Sequence, residues 1–195
     1  YYSVAPSNQL ELLLALESNR ISGFHVSQKD FKTQQRVVIE EFSEMYLNNP
    51  YGDFNHILMQ MAYKTHPYRW PVIGFDQQQL KNLKLEDAEQ FYHTFYTPSN
   101  AVLVIHGNFN VDETKKMIQT YFGKINAGIS LSRYYPAEEK ILAHRTKTIM
   151  KEIPEEGFYL AFPYCGRMDP DFYAVDFMTD ILSEGKSSLL YKKLR

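Results

Sequence analysis

Between Asp30 and Asn49, in DFKTQQRVVIEEFSEMYLNN, apolar residues recur at helical spacing. At about 100° per residue, Phe31, Val38, Phe42, Met45 and Tyr46 form one stripe, which predicts a helix over the whole stretch with Asp30 as its N-cap. Gln34 and Glu41 lie two turns apart on the shoulder of that stripe, whereas Glu40 and Glu44 point toward solvent. The same period predicts helices from Ser7 to Arg20, closed by Gly23, from Asp53 to Tyr63, from Glu86 to Tyr96, from Val111 to Phe122 with Asp112 capping, and from Asp169 to Leu182. A further helix begins in the final LLYKKLR. Strands are predicted at residues 1–5, in the near-continuous apolar run AVLVIHG (101–107), in the alternating HRTKTIMKEI (144–153) and in GFYLAFP (157–163). The prolines and glycine of KTHPYRWPVIGF exclude helix and predict an ordered connection.

The order helix, turn, buried strand predicts a domain that mixes α and β structure. The periodicity lapses from Asn126 to Leu142, so residues 1–126 and 143–195 are expected to be separate bodies joined by a linker over 127–142. A start at Tyr1 and a stop inside a helical pattern predict that the chain is a piece of a longer polypeptide.

Composition narrows the function classes. With 195 residues, 44% of them hydrophobic, the chain is expected to bury a sizeable core. The net charge of −2, with acids and bases interspersed, offers no basic stripe and argues against nucleic acid. No run reaches the ~18 apolar residues of a membrane helix, so no membrane segment is predicted in this stretch. The single Cys165 permits no intrachain disulfide. GKSS (185–188) lacks the earlier glycine of a phosphate loop. Glu89 with His93, and His106 after its strand, read as surface and strand-end residues, and Trp70 as loop packing.

QQRVVIEE, then HPYRWPVIG, then FYHTFYTPSNAVLVIHGNF, resembles the insulinase/pitrilysin family of zinc peptidases, whose zinc motif is His-x-x-Glu-His. The resemblance implies two similar α+β halves joined by a linker, each a layered antiparallel or mixed sheet with helices packed on one face, with this chain supplying the latter part of the first half, the linker and the opening of the second. It places Glu41 at the second position of the family's Glu-x-x-x-x-x-x-Glu pair, the third zinc ligand. Gln34 falls at the first position, a supporting residue, where an amide can hydrogen-bond without carrying charge.

His-x-x-Glu-His is missing: His25, His56, His66, His93, His106 and His144 are all too far apart in sequence. No catalytic residue is therefore assigned, and the piece alone is expected to be inert and largely free of zinc. The resemblance implies a zinc-dependent metalloendopeptidase acting on an extended peptide, paired with a second peptidase-like half or subunit or forming a homo-oligomer. The alternative is a non-catalytic homologue that binds a catalytic partner or a peptide, which Gln34 favours. A purely structural α+β domain is the third reading.

Overall fold

The structure is a computed structural model that describes residues 1–194. The chain divides into two compact units, Tyr1–Glu138 and Glu139–Arg195. The first contains α1 (Leu10–Ser22), α2 (Gln28–Phe42), α3 (Phe54–Ala62), α4 (Gln77–Asn82), α5 (Leu85–Phe95) and α6 (Val111–Phe122). The second contains α7 (Phe172–Ser183) and α8 (Leu189–Leu194). No helix among the described residues is long and apolar enough to cross a membrane.

The expected layered sheet is not formed: among the described residues there are helices and turns but no strand. The segments assigned to strands lack helical structure, as their β-branched and aromatic content disfavours it, yet none is a strand among the described residues. A strand exists only when a second chain segment accepts and donates its backbone hydrogen bonds. Val102, Val104, Met150, Phe158 and Leu160 are accordingly exposed. The sizeable core is not formed either, since Leu14, Phe42 and Leu80 are the buried hydrophobic residues among those described.

In the first unit the helices pack in pairs, α1 on α6 and α2 on α4. Leu14 and Ser18, one turn apart, are the buried positions of α1. The Tyr121 hydroxyl donates to Glu11 Oε1 (2.9 Å), joining α6 to α1, and the Tyr92 hydroxyl of α5 donates to the Arg20 carbonyl (2.9 Å) near the end of α1. The α6 cap is Asn110 rather than Asp112: its Oδ1 accepts from the N–H groups of Asp112 (3.0 Å) and Glu113 (3.1 Å). Both acids then sit in the first turn, where they complement the helix dipole.

Residues after α6 are fastened to the rest of the first unit at several points. Ser99 donates its N–H to the Ala127 carbonyl (2.8 Å) and its hydroxyl to the Ile129 carbonyl (3.1 Å). Arg133 Nη2 donates to Asn100 Oδ1 (2.8 Å). Glu138 Oε1 accepts from Lys64 N–H (2.9 Å), and Oε2 from Thr65 N–H (2.8 Å), His66 N–H (2.9 Å) and the Thr65 hydroxyl (3.0 Å). These donors, the His66 amide foremost, hold the Glu138 carboxyl at about 2.

Replacing Asn110 by Ala should lower stability by about 1 kcal/mol, read as a lower urea midpoint with an unchanged slope. The Glu138 contact carries a pH signature. A carboxyl whose pKa is lower folded than unfolded stabilises fully above its unfolded value, 4.5, and loses that contribution as pH falls through about 2. The stability gap between the native chain and E138Q should therefore be largest near neutrality and close in acid. Lys64, His66 and Arg69 of the loop and Glu139 and Lys140 beyond it are common to both chains and cancel in that difference.

Candidate functional site

The helix carrying Gln34 and Glu41 begins one turn earlier than the sequence pattern predicts. Ser27, not Asp30, is the N-cap: its hydroxyl oxygen accepts from Asp30 N–H (3.2 Å), and Asp30 sits in the first turn. Either residue type caps well, and the Ser27 position leaves Asp30 near the positive end of the helix.

Two side-chain contacts fix α2 to α4. Gln35 Nε2 donates to the carbonyls of Leu80 (2.7 Å), Leu83 (2.9 Å) and Lys81 (3.3 Å). These groups lie at the C-terminal end of α4, where carbonyls have no partner within the helix. At the other end of α4, Gln77 Nε2 donates to Ser43 Oγ (2.6 Å), and Ser43 Oγ donates to the Ile39 carbonyl (2.8 Å). Asp76 caps α4 by accepting from Gln79 N–H (2.7 Å), and Leu80 buries itself beneath.

The helix is not regular to Asn49. From Ser43 to Leu47 it widens into a π turn, closed by Asn48 N–H donating to the Ser43 carbonyl (2.8 Å). Phe42 is buried and its ring lies 4.9 Å from that of Tyr46, which meets His56 edge-on at 6.1 Å. His56 lies 5.5 Å from Phe75. Burial lowers the pKa of His56, against the opposing pull of Asp53 and Asp76, so its imidazole is held as a neutral packing group.

Gln34 and Glu41 are both exposed on α2. Among the described residues neither side chain makes a hydrogen bond or ion pair. Val37, on the same face between them, is 46% exposed. Glu41 lies about 120° round the helix from Gln35, so α4 grips α2 from one side while the carboxylate projects from another. Sequence reasoning noticed Gln34 and passed over Gln35, because α4 was not expected: QQQLKN has a single apolar residue and no period to detect.

The remaining candidates stay scattered. His93 and Glu89 form an exposed pair at 3.7 Å. His66 packs among Tyr63, Tyr68 and Tyr135, with Nδ1 accepting from Tyr68 N–H (3.2 Å). Trp70 is half-exposed with the Arg69 guanidinium over its ring at 5.3 Å, rather than filling a gap beneath the loop. Protein-bound zinc takes three or four donors, commonly imidazoles and carboxylates. Among the described residues no three His, Cys, Asp or Glu side chains are gathered to hold a metal. Glu41 fits as one oxygen donor, exposed and, among the described residues, without a hydrogen bond or ion pair.

The Peptidase M16 inactive domain family matches residues 82–195, more than half of the chain. The chain thus belongs to the M16 peptidases, the insulinase family. It is 26% identical over its full length to the zinc protease PqqE of Helicobacter pylori, of which it covers 44%. It is 25% identical to the mitochondrial-processing peptidase subunit beta of Caenorhabditis elegans, over 70% of this chain and 30% of that one. It is also 25% identical to the uncharacterized zinc protease YmxG of Bacillus subtilis, over 86% of this chain and 40% of that protein. The crystal structure of a protease from Helicobacter pylori superposes with a TM-score of 0.72 at 21% identity, over 97% of this chain and 46% of that one, a likeness of fold. The chain spans less than half the length of these relatives.

Replacing Gln35 by Ala removes the amide that serves three carbonyls. Urea unfolding should show a loss of about 0.5–1.5 kcal/mol, the net worth of a hydrogen bond whose acceptors can turn to water. A loss below about 0.3 kcal/mol would mean that water replaces the amide without penalty.

Proposed function

We propose that the chain is part of a zinc-dependent metalloendopeptidase, in which Glu41 is one ligand of the zinc and Gln34 supports the site by hydrogen bonding. The observation that carries this is Glu41 itself, an exposed carboxylate without a partner, in a chain alignable end to end with a protein named a zinc protease. Bound zinc would supply Lewis acidity and an acidified water for attack on a peptide carbonyl. This chain's part is to present one carboxylate oxygen on a helix whose opposite side is tied down. The catalytic base and the other ligands would come from residues outside the chain, so the piece alone is inert. Its division into residues 1–126, a linker at 127–142 and a second body at 143–195 belongs to the same proposal, as does pairing with another peptidase-like half around an extended peptide.

A non-catalytic relative that binds a peptide or a catalytic partner is the second reading. Gln34 favours it, since an amide there adds no negative charge to a cation site. The two readings separate in the complete protein. If Glu41 binds zinc, E41Q should weaken zinc retention by more than about 100-fold, exceeding the usual effect of an outer supporting residue, and should abolish peptide hydrolysis. Metal content under chelator competition and cleavage of a quenched peptide measure the two effects. Unchanged zinc retention would remove Glu41 from the ligand set.

A further inference from the structure

Gln35 is gripped at both ends of its carboxamide. An ammonium only donates, so the Lys32 Nζ contact (2.9 Å) turns Oε1 toward Lys32 and leaves Nε2 facing the end of α4. The two N–H groups of that amide meet the carbonyls of Leu80 and Leu83, and the Lys81 carbonyl shares them at the longer distance. Ser43 receives Gln77 from the start of the same helix. At 100° per residue, Ser43 lies about 80° round α2 from Gln35. The middle of these two contacts is then about 160° from Glu41 and about 140° from Gln34, on the far side of the helix.

Burial of Phe42 and Leu80 brings α2 and α4 together, but apolar burial is non-directional and leaves the roll of α2 weakly fixed. Hydrogen bonds are directional, so the amide sets that roll. A metal ligand on the far side registers it. At a side-chain radius of about 5–6 Å, a roll of about 20° carries the Glu41 carboxylate about 2 Å, the length of a whole zinc–oxygen bond. We propose that Gln35 is a positioning residue for zinc, acting through Glu41: its amide holds the roll of α2 on α4 and thereby the place of the carboxylate. This role rests on the reading of Glu41 as a zinc ligand.

The test is a double-mutant cycle in the complete protein, read as zinc retained under chelator competition. Q35E keeps the side chain's length and its Lys32 partner but turns a carboxylate onto the α4 carbonyls. It should weaken retention about tenfold, the lower end for an outer partner of a metal ligand. Q35R puts N–H donors back within reach of those carbonyls and should hold zinc within about threefold of the unsubstituted protein. In an E41Q background there is no carboxylate to place, and Q35E should change the remaining retention by less than about twofold. Urea unfolding of each zinc-free variant checks that the fold is intact, and Q35A takes the place of Q35E if the latter does not fold. Unchanged retention in E41Q would remove the ligand reading, and this role with it. A loss in E41Q with none in Q35E, an equal loss by Q35E with and without Glu41, or no recovery in Q35R would overturn the role of Gln35 and leave Glu41 as a ligand.

Discussion

The amide of Gln35 is the contact on which the candidate site depends. One nitrogen serves carbonyls at the end of α4 that would otherwise turn to water, and in doing so it fixes the rotation of α2 about its own axis. Ser43 and Gln77 repeat the arrangement about two turns further on. A helix held at two points along one side has little freedom to roll. Glu41, between those points in sequence and away from them in direction, therefore occupies a defined place although, among the described residues, no hydrogen bond or ion pair holds its carboxylate.

Much of the helical part of this structure was legible in the sequence, because amphipathic periodicity records a helix without reference to what it packs against. The helices containing Leu14, Phe42, Met117 and Phe177 all follow from that period, with ends displaced by a few residues where two good caps compete, as Ser27 and Asp30 do. Sheet was not legible in the same way. AVLVIHG records that its side chains avoid water, but pairing requires another segment at the right distance, and the described residues supply none. The short α4 escaped because a six-residue helix needs only one apolar residue, Leu80, and owes its order to Asp76 and to Gln35.

The candidate site divides similarly. Glu41 could be picked out only through the likeness of QQRVVIEE to a zinc peptidase helix; its helical position alone describes an ordinary surface acid. The Glu138 contact left no signal in composition or period, since a carboxylate bound by backbone amides needs no particular residue type opposite it. Thr65 contributes a hydroxyl, but the other three donors are peptide groups that any residue except proline provides.

The π turn at Ser43–Leu47 bears on chain length in a way that composition does not express. A widened turn is a helix accommodating one surplus residue. Loss of one residue between 43 and 47 would close the segment into ordinary α-helix and leave the chain beyond it in phase, whereas loss of one residue from the regular turns of α2 would rotate everything after it by about 100°. The widened turn is therefore the place along this helix where a single-codon deletion is absorbed locally, and the residue count of the turns before it is the more tightly constrained.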